Sequence, residues 1–244
     1  GPKISNDIFS KTSLKMVQVT GAGIDRLDQD FCARNNIKVC NVLGASAKSV
    51  AEYCIFAALT ISRRLSKTTD EILSGNYKEL RGNIIQDRMF SLSGLTLGVI
   101  GFGSIGQETA KMFSALGCQI QYYDPSDPKV AENLSQIAVK NGKEELLRTS
   151  DIISIHVPLI DQTKNLISMQ EFSLMKKTSI LLNASRGGIV DEHALSQAIQ
   201  DKKIKGAAID VFTSEPPEKN NPLLNLPDEF RENIILTPHI GGIT

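Results

Sequence analysis

The sequence predicts an α/β fold: a doubly wound parallel sheet with helices on both faces, accompanied by the remainder of a smaller α/β unit. Three observations predict it. From residue 96 onward, short apolar runs with a β-branched bias alternate with helical patterns, the signature of strands joined by crossover helices. A glycine-rich turn, Gly101-Phe102-Gly103-Ser104-Ile105-Gly106, separates the first of these runs from the first helical pattern. The next apolar run ends on an acid, Asp124.

Taken in order, the first strand signals are residues 16–20 and 38–41, with a helical stretch between them and a long helix over 49–64. Two parallel strands make a poor sheet on their own. Residues 1–46 are therefore expected to be what is left of a second domain whose first strands are absent, and residues 47–244 the main domain. Strands follow at 96–100, 119–123, 151–157, 178–184, 206–211 and 233–236. The helix after residue 100 is expected to bury Ile105, Ala110, Phe113 and Leu116 on one face. Another helix runs from Glu192 to Gln200 behind an Asp191 cap. The chain stops just past a strand, with no closing helix, and is expected to be truncated at both ends.

Composition narrows the function classes. The 244 residues are 41% hydrophobic and 22% charged, and 27 basic residues balance 27 acidic ones. No net field argues for nucleic acid or an anionic membrane. No apolar run approaches the ~20 residues of a membrane helix, and no signal peptide is recognised. The cysteines at 32, 40, 54 and 118 lack C-x-x-C spacing, so neither a metal site nor a disulfide framework is expected. Free thiols in a reducing, cytoplasmic setting are.

The glycine turn fits G-x-G-x-x-G between a strand and a helix, the context in which that pattern binds a dinucleotide. Gly101 allows the tight turn, Gly103 lets backbone approach a pyrophosphate, and Gly106 lets helix pack on strand. The helix N-terminus adds free N–H groups and partial positive charge. Asp124 lies 124 − 106 = 18 residues past the third glycine, close to the roughly 20 expected of the acid that binds adenosine ribose. A carboxylate there accepts from two ribose hydroxyls and repels a 2′-phosphate, favouring NAD over NADP. Asp124 also opens the turn-rich Asp124-Pro125-Ser126-Asp127-Pro128, and a turn role is compatible with the first.

Three further residues follow strand signals. Arg186, in Asn183-Ala184-Ser185-Arg186-Gly187-Gly188, is placed to clamp a carboxylate. Glu215 follows Ala208-Ile209-Asp210-Val211, and His239 follows the last strand in Thr237-Pro238-His239-Ile240-Gly241-Gly242. Singly, Glu215 reads as a solvated loop acid and His239 as a structural histidine, while for Arg186 a surface salt bridge is the lesser alternative to the clamp. Together they give the carboxyl edge of one sheet a cation, an acid and an imidazole, the set needed to reduce a 2-oxo acid: the oxygen must be protonated, and a carboxylate steadies the imidazolium. His156 lines the cofactor pocket in this reading, and His193 lies exposed in the first turn of a helix.

From Val17 to Thr244 the chain resembles the D-isomer-specific 2-hydroxyacid dehydrogenases, which are NAD-dependent. The resemblance is carried by Gly21-Ala22-Gly23-Ile24-Asp25, Ser49-Val50-Ala51-Glu52, the glycine turn, His156-Val157-Pro158-Leu159, Ser185-Arg186-Gly187-Gly188-Ile189-Val190-Asp191-Glu192, Ala208-Ile209-Asp210-Val211-Phe212, Glu215-Pro216 and Pro238-His239-Ile240-Gly241. It implies a Rossmann-type NAD-binding domain over 47–244 and a flavodoxin-like substrate domain of which 1–46 is the remainder. Arg186 would bind the substrate carboxylate, and His239, paired with Glu215, would donate and accept the proton. Asp210 would hold the nicotinamide carboxamide, Ser104 and Ile105 the pyrophosphate, and Val157 and Pro158 the adenosine side. Ala184, Ser185, Gly241 and Gly242 are also implied in cofactor binding. Gly21 and Gly23 would offer N–H groups to the substrate carboxylate, with Ala22 near the nicotinamide. The resemblance further implies a homodimer formed through the cofactor domain and closure of the first domain over the second.

The expected reaction interconverts a small D-2-hydroxy acid and its 2-oxo acid, of the glyoxylate, hydroxypyruvate or pyruvate type. Oxidation of phosphoglycerate is the nearest alternative, but Val19 stands where many phosphoglycerate dehydrogenases carry an arginine for the phosphate. Formate dehydrogenases of this fold carry glutamine at the place of Glu215. The family's tryptophan before the glycine turn is missing. An NAD-sensing corepressor is the reading from another class: such relatives keep the arginine, glutamate and histidine, but their distinctive sequence around the first glycine turn is not found here.

Overall fold

The computed structural model describes residues 3–10, 13–21, 23–24, 26–86 and 91–243. Its centre is a seven-stranded, wholly parallel sheet. The strands among the described residues are β1 (Met16–Gln18), β2 (Lys38–Cys40), β3 (Thr96–Ile100), β4 (Gln119–Tyr123), β5 (Ala138–Lys140), β6 (Ile152–Ile155), β7 (Ile180–Asn183), β8 (Gly206–Ile209) and β9 (Ile234–Leu236). The large sheet runs in the order β5-β4-β3-β6-β7-β8-β9, while β1 and β2 pair in parallel in a separate two-stranded sheet. The order reverses between β3 and β6, the switch point at which doubly wound sheets bind ligands.

Strands β6, β7 and β8 are buried along their whole length, because helices cover both faces. On one face, Val50, Cys54, Ala57 and Ile61 of the helix Ala47–Ser62 pack with Phe113 on Leu97, Val99, Ile152 and Leu182. On the other, Leu146, Leu147, Phe172, Leu195 and Ile199 pack on Ile153, Ile155, Leu181 and Ile209. A small separate cluster of Phe9, Leu27, Cys32 and Ile37 supports β1 and β2. All four cysteines are free thiols.

Some expectations shift. The helix expected at 49–64 spans Ala47–Ser62, and the one at Glu192–Gln200 stands as expected, with the Asp191 side chain accepting from the Ala194 N–H at 3.0 Å. Leu116 does not join the buried face of the helix Ser104–Ala115; it is the C-cap residue and is exposed. Strand β5 was not expected. It is three residues long at the sheet edge, and the apolar stretch Ile137-Ala138-Val139 around it is short and largely exposed. Two helices without a buried residue, Thr68–Leu73 and Tyr77–Gln86, also escape the apolar pattern.

Candidate active site

The glycine turn leaves β3 and enters the helix Ser104–Ala115. Gly101 has φ +91°, and a Cβ there would lie 2.5 Å from the His156 carbonyl oxygen. A Cβ on Gly106 would lie 2.1 Å from the Gly101 carbonyl oxygen, whereas one on Gly103 would meet nothing within 4 Å. The helix begins at Gly103 without a side-chain cap. Open space before uncapped N–H groups suits a pyrophosphate, and Ser104, Ile105 and Gly103 border it. Between the glycines, Phe102 turns inward and stacks on Tyr122 with ring centroids 4.0 Å apart. The Gln107 amide donates back to the Phe102 carbonyl at 2.9 Å.

Asp124, at the end of β4, accepts from the Phe102 N–H at 2.7 Å and from the Ser126 N–H and hydroxyl at 2.8 and 2.6 Å. Burial raises its pKa, but these hydrogen bonds and the charge of Lys140 outweigh it, and the net shift is downward. It is thus a turn residue and a brace for the glycine loop at once. A carboxylate has about four acceptor directions; two bonds fall on Oδ1 and one on Oδ2, which leaves an acceptor direction on Oδ2 open.

Arg186, Glu215 and His239 follow β7, β8 and β9, three adjacent strands, at their carboxyl ends. The structure brings Glu215 and His239 into contact: both carboxylate oxygens lie near Nδ1 of His239, at 3.1 and 3.0 Å. The Phe212 N–H also donates to Glu215, at 3.3 Å. Burial raises the Glu215 pKa; hydrogen bonds, that of His239 foremost, together with the charge of His239 outweigh it and bring it below its ordinary value. The pair borders a mainly apolar cleft of about 420 Å³, walled by Phe212, Pro216, Leu236 and Pro238. Arg186 does not line this cleft; it sits one strand over, half-buried, its Nη1 donating to the Ser185 carbonyl at 2.7 Å. The Asn183 side chain fixes that turn by accepting from the Ser185 N–H and hydroxyl and donating to the Arg186 carbonyl. Ala184 is half-buried beside it.

Asp210, at the end of β8, is buried. It accepts from the Thr237 hydroxyl at 2.5 Å and from the N–H groups of Ile240 and Gly241 at 2.9 and 2.8 Å. One acceptor direction is left, which fits a carboxamide. The same carboxylate pins the loop on both sides of His239. Val157 and Pro158 follow β6 beside the glycine turn, half-buried and exposed respectively. Gly242 is exposed after Gly241. Gly21 is exposed and Gly23 half-buried beyond the end of β1; Ala22 lies outside the described residues. His156 bonds Ser154 through Nε2 at 2.8 Å, and burial brings its pKa down to about 4, so it is neutral near pH 7. His193 is exposed on its helix.

Sequence reasoning gave no role to Tyr53, Thr237 or Glu192. Glu192 accepts from the Thr213 N–H and hydroxyl and from the Asn221 side chain, bracing the loop that carries Glu215. Tyr53 reaches Thr237 across 184 residues of sequence. No local spacing marks such partners.

A second cleft, about 550 Å³, opens around Lys177, Lys205 and Asn233. Those residues precede β7, β8 and β9, so it lies at the amino edge of the sheet, away from the histidine. No described helix is long and apolar enough to cross a membrane.

Comparison with known proteins identifies the family. The chain is 39% identical to a D-3-phosphoglycerate dehydrogenase of Methanocaldococcus jannaschii, over 100% of its own length and 45% of that protein. It is 37% identical to a hydroxypyruvate reductase of Thermotoga maritima, over 99% of its length and 76% of that protein. Among solved structures, a D-lactate dehydrogenase from Aquifex aeolicus, complexed with NAD and lactic acid, superposes with a TM-score of 0.84 at 33% identity, covering 99% of this chain and 74% of that one. Residues 55–241 match the family described as D-isomer specific 2-hydroxyacid dehydrogenase, NAD binding domain. The chain therefore belongs to the D-isomer-specific 2-hydroxyacid dehydrogenases and contains their NAD-binding domain.

Proposed function

We propose that the protein interconverts a small D-2-hydroxy acid and its 2-oxo acid, with His239 as the proton donor and acceptor. The observation that carries this reading is the Glu215–His239 pair at the carboxyl edge of the sheet, one strand from Arg186. NAD, when bound, exchanges hydride with the reacting carbon. Gly103, Ser104 and Ile105 would hold its pyrophosphate, Asp124 its ribose and Asp210 its carboxamide. Arg186 binds the substrate carboxylate and polarises the carbonyl. Glu215 keeps a proton on Nδ1, so Nε2 delivers a proton to the carbonyl oxygen, or takes one from the hydroxyl in reverse.

Residues 1–46 serve as part of the substrate-side domain, and Gly21 and Gly23 offer backbone N–H groups there. Val19 supplies no charge for a phosphate, which favours glyoxylate, hydroxypyruvate or pyruvate over phosphoglycerate. A homodimer through the cofactor domain fits the helices Thr68–Leu73 and Tyr77–Gln86, which bury no residue and expose Ile72, Leu73, Tyr77 and Ile85. Short helices are marginal in water without packing. The working compartment is the cytoplasm, consistent with four free thiols. The test is a panel of 2-oxo acids with NADH, followed by loss of NADH absorbance. Turnover of unphosphorylated acids is expected; turnover of none, or of the phosphorylated acid alone, overturns the assignment.

A further inference from the structure

The helix Ala47–Ser62 fastens the His239 loop from outside the sheet. Tyr53, half-buried on that helix, places its hydroxyl 2.7 Å from the Thr237 hydroxyl, which in turn donates to Asp210 at 2.5 Å. The Thr237 hydroxyl has one proton and gives it to Asp210, so the Tyr53 phenol is the donor of its pair. The Thr237 oxygen thus accepts one hydrogen bond and donates another. Ser49, one turn earlier, donates to the carbonyls of Gly241 and Ile243 at 2.9 and 3.1 Å. A Cβ on Gly241 would fall 3.0 Å from Asp210 and 3.3 Å from the Tyr53 ring, so phenol, carboxylate and loop are in close contact.

His239 itself sits at φ +58°. A non-glycine residue in the left-handed region is strained and persists only where its surroundings over-determine it. The bonds from Thr237, Ile240 and Gly241 to Asp210 are those surroundings, and among them Thr237 is the side chain that meets Tyr53 of the helix.

We infer that Thr237 and Tyr53 are positioning residues for His239, joining the helix Ala47–Ser62 to the loop that presents the imidazole. This rests on the reading of His239 as the proton-transfer group. Thr237→Val, Thr237→Ser and Tyr53→Phe are compared in the full-length chain. Two readouts are used: steady-state turnover of glyoxylate with NADH, and hydrogen exchange of the loop amides without cofactor. Thr237→Val is expected to speed exchange at Ile240 and Gly241 about tenfold or more. It should lower kcat at least tenfold while NADH affinity and substrate KM stay within about threefold. Thr237→Ser restores both readouts, and Tyr53→Phe gives a smaller loss in the same direction.

Unchanged amide exchange in both Thr237→Val and Tyr53→Phe overturns the positioning role whatever the activity. So does faster exchange with unchanged kcat, or a Ser variant no better than Val. If Thr237→Val does not fold, Tyr53→Phe decides alone by the same criteria. His239→Asn is run beside them: wild-type turnover there refutes the role of His239 itself and separates that failure from failure of the positioning claim.

Discussion

Glu215 holds a single nitrogen of His239, with both carboxylate oxygens within 3.1 Å of Nδ1. A carboxylate accepts only, so Nδ1 carries the proton and Nε2 is the nitrogen left for a substrate. Glu215→Gln keeps the shape and removes the charge. Turnover is expected to fall by roughly 10²–10⁴-fold, with NADH affinity unchanged in a fluorescence titration.

The same residue links stability to pH. The Glu215 pKa lies below its ordinary value of 4.5. The stabilisation is therefore present above that value and lost as pH falls through the folded-state pKa. Urea unfolding of wild type and Glu215→Gln between about pH 6 and pH 3 should show the wild type losing its advantage on the acid side. Parallel curves would place the carboxylate in an unperturbed environment.

Two glycines separate cofactor binding from folding. Gly103→Ala adds a methyl where nothing lies within 4 Å, whereas Gly106→Ala drives one to 2.1 Å from a backbone carbonyl. The first variant should melt within about 2 °C of wild type yet bind NADH about tenfold or more weakly. The second should melt several degrees lower, since overpacking costs about 1–3 kcal/mol.

Asp124→Ala removes the acceptor of three hydrogen bonds. Losing it should cost about 1–3 kcal/mol of stability, read as a fall in Tm. It should also narrow the ratio of NADPH to NADH dissociation constants. A lower Tm with an unchanged ratio would make Asp124 a loop brace alone.

Arg186→Lys keeps the charge and loses the planar fork that matches a carboxylate. Substrate KM should rise about tenfold or more while NADH affinity is kept. An unchanged KM would place the carboxylate elsewhere.

Much of this was legible in the sequence, for a physical reason. Strands buried on both faces read as unbroken apolar runs, so β3, β6, β7 and β8 announce themselves, whereas β5, solvated at the edge, does not. Arg186, Glu215 and His239 stand out as candidates because each lies in the loop after a strand, and a parallel sheet gathers such loops on one edge. Tyr53 and Thr237 are not, because their contact exists only once a helix has folded across the sheet. The double duty of Asp124 is half legible: spacing suggests the ribose and composition the turn, but its bond to Phe102 needs the fold.

The most direct test of the central claim is His239→Asn, since asparagine tolerates the left-handed backbone of that position. Single-turnover oxidation of bound NADH by the preferred 2-oxo acid is expected to slow by about 10²–10⁴-fold, with the NADH dissociation constant within about threefold of wild type. Hydride transfer at the wild-type rate in that variant would contradict the assignment of proton transfer to this imidazole.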